Sequence, residues 1–447
     1  MRVGTGYRDI LKMYLPLLLS VMSQMAVSIA DVFFLGRLTP PEQAAGNYGF
    51  LIFLVIMVIG LGLSNGLSVL TARSCGEGKP REASAYLWHG LVLMGVYMIL
   101  AFSFVRVGLR PLLGWALKDP GLRAEVLGYC FHRAPELWFS LPVLVLNAFY
   151  VGTARPRVVS VAAFLGAGCN IFLDYAWIFG HFGFPAFRVA GAAKATVASQ
   201  ILVWGVMVLA TLILPGSRAF FKNFSFVFKW SVFQAIRRVS GPLFLQNGLS
   251  IVSWLLFFTL IERADLRLLE ASSVIRAFYG LTLMPALALN ATVSSMVSNF
   301  LGQGGGSHAT HFMKRLAVTG MIFCAPWLAV ILGPFREGLA VFTVHPEVVQ
   351  LALDSRWSLA LAVAQMPLVF TLFASITGTG HTKATLFIES ASLTVYLAYV
   401  AWVCQMPAPS IGWIWFSESL YFSLLALFSW LWHQRFWNPR NSTKFFP

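Results

Sequence analysis

Twelve long stretches with almost no charge recur along this chain, and no soluble architecture accommodates that pattern. They fall near residues 10–35, 46–71, 85–105, 130–152, 157–179, 189–214, 239–261, 272–300, 316–334, 349–377, 384–404 and 411–433. A helix of about 20 residues crosses a hydrocarbon layer about 30 Å thick. Most stretches are apolar on all sides, as helices in lipid must be, and the lack of period-two alternation excludes a β-barrel. The composition agrees. The 447 residues are 58% hydrophobic and only 11% charged, against about 25% in a soluble domain. The expected fold is an all-α integral membrane protein with twelve transmembrane helices. The apolar run from Leu15 lacks a small-residue cleavage site and continues past Asp31, so it reads as the first span and not as a signal peptide.

The formal charge of +15 would point to nucleic acid in a soluble protein. Here it is an orientation signal. Of the 32 Lys and Arg, 19 lie in the connections on the side of the two termini and 11 on the opposite side, with Lys194 and Arg276 inside spans. Only Asp9, Glu77 and Glu82 offset the first group. Positive charge collects in cytoplasmic connections, so both termini are expected in the cytoplasm, with no nucleic-acid partner. Asp31, Asp174, Glu389 and Glu418 are also intramembrane.

The halves repeat at an offset of 226 residues. Tyr14-Leu15-Pro16 returns as Ser240-Gly241-Pro242, Gly76-Glu77-Gly78 as Gly302-Gln303-Gly304, and Gly152-Thr153-Ala154 as Gly378-Thr379-Gly380. Two pseudo-symmetric six-helix lobes follow: an N-terminal lobe over 1–214, an interlobe linker over 215–238 and a C-terminal lobe over 239–447. Scaffold residues should recur across such a repeat, whereas function can reside in one half. The offset maps Gln24 onto Ser250, Asp31 onto Phe257, Asn147 onto Phe373, Asn170 onto Tyr396 and Asp174 onto Val400. These five polar residues therefore mark the N-terminal half.

Asn170 and Asp174 share a helix face at i,i+4, and Gln24 and Asp31 share one at i,i+7. A carboxylate inside a bilayer costs several kcal/mol unless it is paired, solvated or protonated, so both acids are expected to face a polar interior. With amide neighbours they suit cation or proton coupling. Interfacial acids are the alternative: Asp31 stands near Arg37, and Asp174 beside Tyr175 and Trp177. Pro16 lies fifteen residues before Asp31, where a lost backbone hydrogen bond permits a bend that is either static or part of the cycle. Glu389 and Glu418 lack amide partners at helical spacing and are expected to matter less.

Pro16, Gln24 and Asp31 followed by Gly36-Arg37, the glycine-rich second span ending in Gly76-Glu77-Gly78, Gly152-Thr153-Ala154-Arg155-Pro156-Arg157, Asn170-Ile171-Phe172-Leu173-Asp174, and Gly191-Ala192-Ala193 through Thr196 resemble the multidrug and toxic compound extrusion (MATE) family. The resemblance spans essentially the whole chain. It implies a monomeric antiporter in the bacterial inner membrane, exporting organic cations and other small compounds in exchange for H+ or Na+, without a further cofactor. Within the family the sequence is similar to the DinF-like branch, which implies Asp31 and Asp174 as the ionisable pair with Asn147, Asn170 and Thr196 around them. The NorM-like branch has acids in its seventh and tenth helices, and Ser250 and Leu368 stand at those positions here. Lys194 departs from the pattern: it either faces the cavity with Gln24 and Pro16 or snorkels at a helix end.

Other motifs are weaker. Gly62-Leu63-Ser64-Asn65-Gly66 matches a serine-hydrolase string but sits in a span, where close helix packing accounts for it. Gly302 to Gly306 lacks the Lys-Ser/Thr of a phosphate loop, and His308 with His311 has no third metal ligand. Five scattered cysteines read as small hydrophobes. A lipid-linked oligosaccharide flippase, favoured by Lys194 and Arg276, and a membrane-embedded enzyme, for which no nucleophile-base cluster is found, are the rival readings.

Overall fold

The computed structural model describes residues 3–214, 220, 227–305 and 309–436. Residues 215–219 and 221–226 of the expected linker, and His308, lie outside the described residues. Twelve helices among the described residues are long and apolar enough to span a membrane: α1 (Tyr7–Leu35), α2 (Pro40–Gly76), α3 (Pro80–Ala116), α4 (Pro120–Gly152), α5 (Pro156–Phe179), α6 (Val189–Ile213), α7 (Trp230–Ala264), α8 (Leu266–Gly302), α9 (Ala309–Leu332), α10 (Arg356–Thr379), α11 (Thr382–Cys404) and α12 (Ile411–Phe436). Short helices Phe335–Ala340 and Pro346–Leu353 connect α9 to α10.

Local chemistry sets the ends. Pro occupies the first turn of α3, α4 and α5, where its missing N–H costs nothing. Asp119 caps α4 by accepting from Gly121 N at 3.0 Å and Leu122 N at 3.2 Å, and Asp265 caps α8 through Arg267 N at 2.8 Å. Gly180 ends α5 at φ +77°. The cap at Asp119 starts α4 ten residues before the expected 130, and α3 continues through a π-helical turn at Phe104–Gly108 to Ala116. Arg106, Arg110 and Arg123, which fall between the expected third and fourth spans, therefore lie within helix.

The chain forms two compact units. One holds the described residues up to Leu18, Cys75–Gly78 and those from Leu245 onward; the other holds Leu19–Ser74 and Lys79–Phe244. Membership changes within α1 after Leu18 and within α7 after Phe244, positions related by the 226-residue offset, each two residues past a proline, Pro16 or Pro242.

The backbone repeats in detail. The bounds of α8 are those of α2 moved by 226. Gly78 and Gly304 both turn in the left-handed region, at φ +75° and +76°. A Cβ on Gly152 would lie 2.7 Å from Thr71 Cβ and 2.9 Å from the Ser68 carbonyl; one on Gly378 would lie 3.0 Å from Val297 Cβ and 2.7 Å from the Ser294 carbonyl. Both pairs of neighbours correspond under the offset. Gly152 and Gly378 thus permit the same close helix contact in each unit, the form of packing that replaces hydrophobic driving force in lipid. Gly62 and Gly66, one turn apart on α2, sit against the backbone of Phe244 and Ser240, while Ser64 Oγ donates to the Leu144 carbonyl at 2.6 Å. The hydrolase-like string is a packing face.

One repeat position is imperfect: Gly380 turns at φ +88°, but its mate Ala154 is held at φ +58°, where a Cβ is strained. Ala154→Gly should raise stability by about 0.5–1 kcal/mol, seen as a higher melting temperature in detergent, whereas Gly378→Val should lower it by about 2 kcal/mol or more.

Candidate functional site

The unit built from 19–74 and 79–244 encloses a cavity of about 280 Å³, walled by α1, α2, α4, α5 and α6. Its polar lining includes Gln24, Asn147, Asn170 and Thr196. Four expected site residues, spread over 172 positions of sequence, are thereby brought to one surface. Thr196 Oγ1 donates to the Ala192 carbonyl at 3.0 Å, and Gln24 Nε2 to Ser20 Oγ at 3.4 Å. Ser20, Ser23, Ser140, Ser199 and Gln200 add further oxygens that sequence reasoning did not single out.

One turn from Asn170, Asp174 is fully buried and faces Asp31 within hydrogen-bond reach, carboxyl to carboxyl. Both Asp174 oxygens, one Asp31 oxygen, both polar atoms of the Asn170 amide and the Asn147 Oδ1 are buried without a protein partner. Buried polar groups of native proteins are nearly always bonded, so six such atoms around two acids mark a place built to receive something. At about 4 Å, two negative charges repel by roughly 4 kcal/mol at an effective dielectric of 20. A single shared proton relieves this repulsion, as does a hard monovalent cation. Carboxylate, amide and hydroxyl oxygens fit either, and soft ligands are missing from the set.

A second charged element stands beside the pair. Arg133 and Glu136, three apart around a 3-10 turn at Ala134–Glu136, form a buried ion pair of 2.5 Å. Arg133 Nη1 also donates to Tyr129 Oη at 3.0 Å, and its guanidinium lies 4.9 Å from the Phe53 ring centre. Asp31 and Asp174 both lie within the electrostatic reach of Arg133, and Glu136 lines the cavity. With every group ionised, three carboxylates face one guanidinium. The excess is negative until a cation or proton arrives.

Lys194 and Pro16 stand apart from this cavity. Lys194 Nζ lies 3.8 Å from the centre of the Phe187 ring, a cation–π contact at the start of α6, and Arg276 lies 4.9 Å from the Phe258 ring. Both intramembrane cations thus stand on aromatic faces. Pro16 lies in the other unit, two residues before α1 changes membership. No group of three or more His, Cys, Asp or Glu able to hold a metal ion exists among the described residues.

The family model described as MatE matches residues 16–176, a stretch that contains Pro16, Gln24, Asp31, Arg133, Glu136, Asn147, Asn170 and Asp174. A probable multidrug resistance protein NorM from Thermotoga maritima is 23% identical over 95% of this chain and 88% of its own length. Residues 16–176 thus resemble the MATE family, and the likeness to the Thermotoga protein runs along most of the chain. A FAD transporter from Shewanella oneidensis is 25% identical over 84% of this chain and 82% of its own. The fold is also that of a solved multidrug resistance MATE family transporter of the MOP superfamily, with a TM-score of 0.87 at 17% identity over 99% and 98% of the two chains.

The Arg133–Glu136 pair is expected to be structural as well as electrostatic. Removing one member strands a buried charge, so Arg133→Met or Glu136→Gln should each cost about 3–5 kcal/mol, while the double replacement recovers most of the loss. Thermal unfolding of the three purified variants checks this.

Proposed function

We propose that this chain is a secondary antiporter of the MATE family, DinF-like branch, that exports organic cations, drugs and other small amphipathic compounds in exchange for H+ or Na+. The observation that carries the reading is the facing pair Asp31–Asp174, ringed by unpartnered amide atoms beside a cavity lined with oxygens. One negative charge is available to two competitors. A cationic substrate and a coupling ion each relieve the same repulsion, so binding of one weakens binding of the other, and that exclusion is antiport. Asn147, Asn170 and Thr196 supply oxygens to the coupling ion, and Gln24 lines the substrate side.

The N-terminal lobe (1–214) and C-terminal lobe (239–447), joined by the linker at 215–238, alternate access in a monomer of the bacterial inner membrane, with both termini in the cytoplasm. The excess of Lys and Arg on the terminal side supports that orientation. Pro16 supports a hinge role: it removes a backbone hydrogen bond from α1 just before the helix passes between units. A bend there, controlled by the charge state of Asp31, links ion binding to cavity shape.

Proteoliposomes with an imposed pH gradient, with and without Na+, provide the test. Wild-type protein is expected to move ethidium against its gradient, and Asp31→Asn or Asp174→Asn to slow that transport at least about tenfold with insertion unchanged, since the exchanged charge is gone. Ethidium efflux by either variant at the wild-type rate contradicts the assignment. Flavin adenine dinucleotide belongs in the same panel because of the Shewanella relative's name, and the acidic site predicts that this anion is not moved.

A further inference from the structure

The unit that begins again at Leu245 contains two more buried carboxylates, and they are arranged as a site. Glu389, on α11 and 5% exposed, accepts from Gln246 Nε2 of α7 at 2.6 Å and from Ser250 Oγ, one turn further along the same helix. Glu418, on α12 and also 5% exposed, accepts from the hydroxyls of Tyr279 on α8 and Tyr396 on α11, each at 3.1 Å. Tyr421 stands between them, with its hydroxyl toward Glu389 and its ring 5.9 Å from that of Tyr396. Neither acid forms an ion pair with Lys, Arg or His among the described residues. The titratable groups facing the two acids are these three tyrosines.

The 226-residue offset relates this arrangement to the N-terminal cavity. Glu389, Gln246 and Ser250 correspond to Ala163, Ser20 and Gln24, all three of which line that cavity, and Tyr396 corresponds to Asn170. The carboxylates come from different helices, but they occupy the equivalent wall of the second repeat.

We propose that this unit holds a second proton-binding site, built on Glu389 with Glu418 as its tyrosine-linked partner. Two uncompensated carboxylate charges in an apolar core are costly, and a single proton removes one of them. The surrounding groups suit a proton better than a metal ion. Serine and tyrosine hydroxyls donate to a carboxylate and, after rotation, accept from a carboxylic acid, whereas the oxygen-only cage a cation needs is not formed. Gln246 carries the decisive detail. It is 8% exposed, its Nε2 serves Glu389, and its Oε1 is buried with no donor. Turned over, the same amide presents that oxygen to a protonated Glu389, so one side chain serves both charge states. The half-buried Ser250 and Tyr421 connect Glu389 to the surface.

Infrared difference spectroscopy on the purified full-length protein tests this by following the C=O band of protonated carboxyl groups. The background is Asp31→Asn with Asp174→Asn, so failure of the proposed antiport site does not decide the result. Titration from about pH 5 to pH 9 avoids exposed acids, which ionise near pH 4. A band that grows as pH falls is expected, largely lost on adding Glu389→Gln and retained at a shifted frequency with Glu389→Asp. No titrating band in the background, or one unchanged by Glu389→Gln, overturns the proposal. If Glu389→Gln fails to yield monodisperse protein, Gln246→Leu leaves the acid in place; the band's titration midpoint should then move, and a midpoint equal to that of the background also overturns it.

Discussion

Two carboxylates facing each other in a dehydrated helix bundle cannot both keep their charge without help, and the rest of the N-terminal site is arranged around that fact. Asn147 and Asn170 bring polar atoms that no protein group satisfies, and the Arg133–Glu136 pair sets a local potential that is positive on one side and negative on the other. A lone guanidinium would neutralise the acids permanently. Bound first to Glu136 and Tyr129, Arg133 offsets only part of the excess and leaves a charge to be exchanged. The scaffold must hold these groups within a few ångströms of each other, and it does so with backbone contacts that only small residues permit, such as Gly62 on Phe244 and Gly152 on Ser68.

The internal repeat separates what packs from what acts. Glycines and left-handed turns recur at the same offset, with Gly78 matching Gly304 and Gly152 matching Gly378. The polar residues do not. Asp31, Asn170 and Asp174 have Phe257, Tyr396 and Val400 as mates, and all three mates lie in the hydrophobic core of their unit. Duplication has thus left two similar frames with different interiors: one is oxygen-lined around facing acids, and the other is largely filled by aromatic side chains around carboxylates that hydroxyls and one amide satisfy.

What could be read from the sequence follows from how far apart the interacting residues lie. Spans are local, and all twelve were legible because twenty apolar residues have few alternatives in water or lipid. Polar residues spaced i,i+4 or i,i+7 on one helix, such as Asn170 with Asp174, were legible for the same reason. Arg133 and Glu136 fell inside an expected span but were not singled out as a pair, for which opposite charges at i,i+3 were the available signal; Arg106, Arg110 and Arg123 were left outside the spans because charge reads as connection, although Asp119-Pro120 marks a helix start. Glu389 and Glu418 were discounted because their partners come from other helices, 143 residues away for Gln246 and 139 for Tyr279, and no spacing rule reaches that far. Lys194 was ambiguous until its contact with Phe187 was known.

The central claim is that one removable positive charge on the Asp31–Asp174 pair is exchanged for a cationic substrate. Titration calorimetry of tetraphenylphosphonium binding to the purified protein, in Na+-free buffers of different ionisation enthalpy and again with Na+ present, measures that exchange directly. The account predicts release of about one proton per bound cation without Na+, or affinity that falls steadily as Na+ rises. Tight binding that releases no proton and ignores Na+ would contradict it.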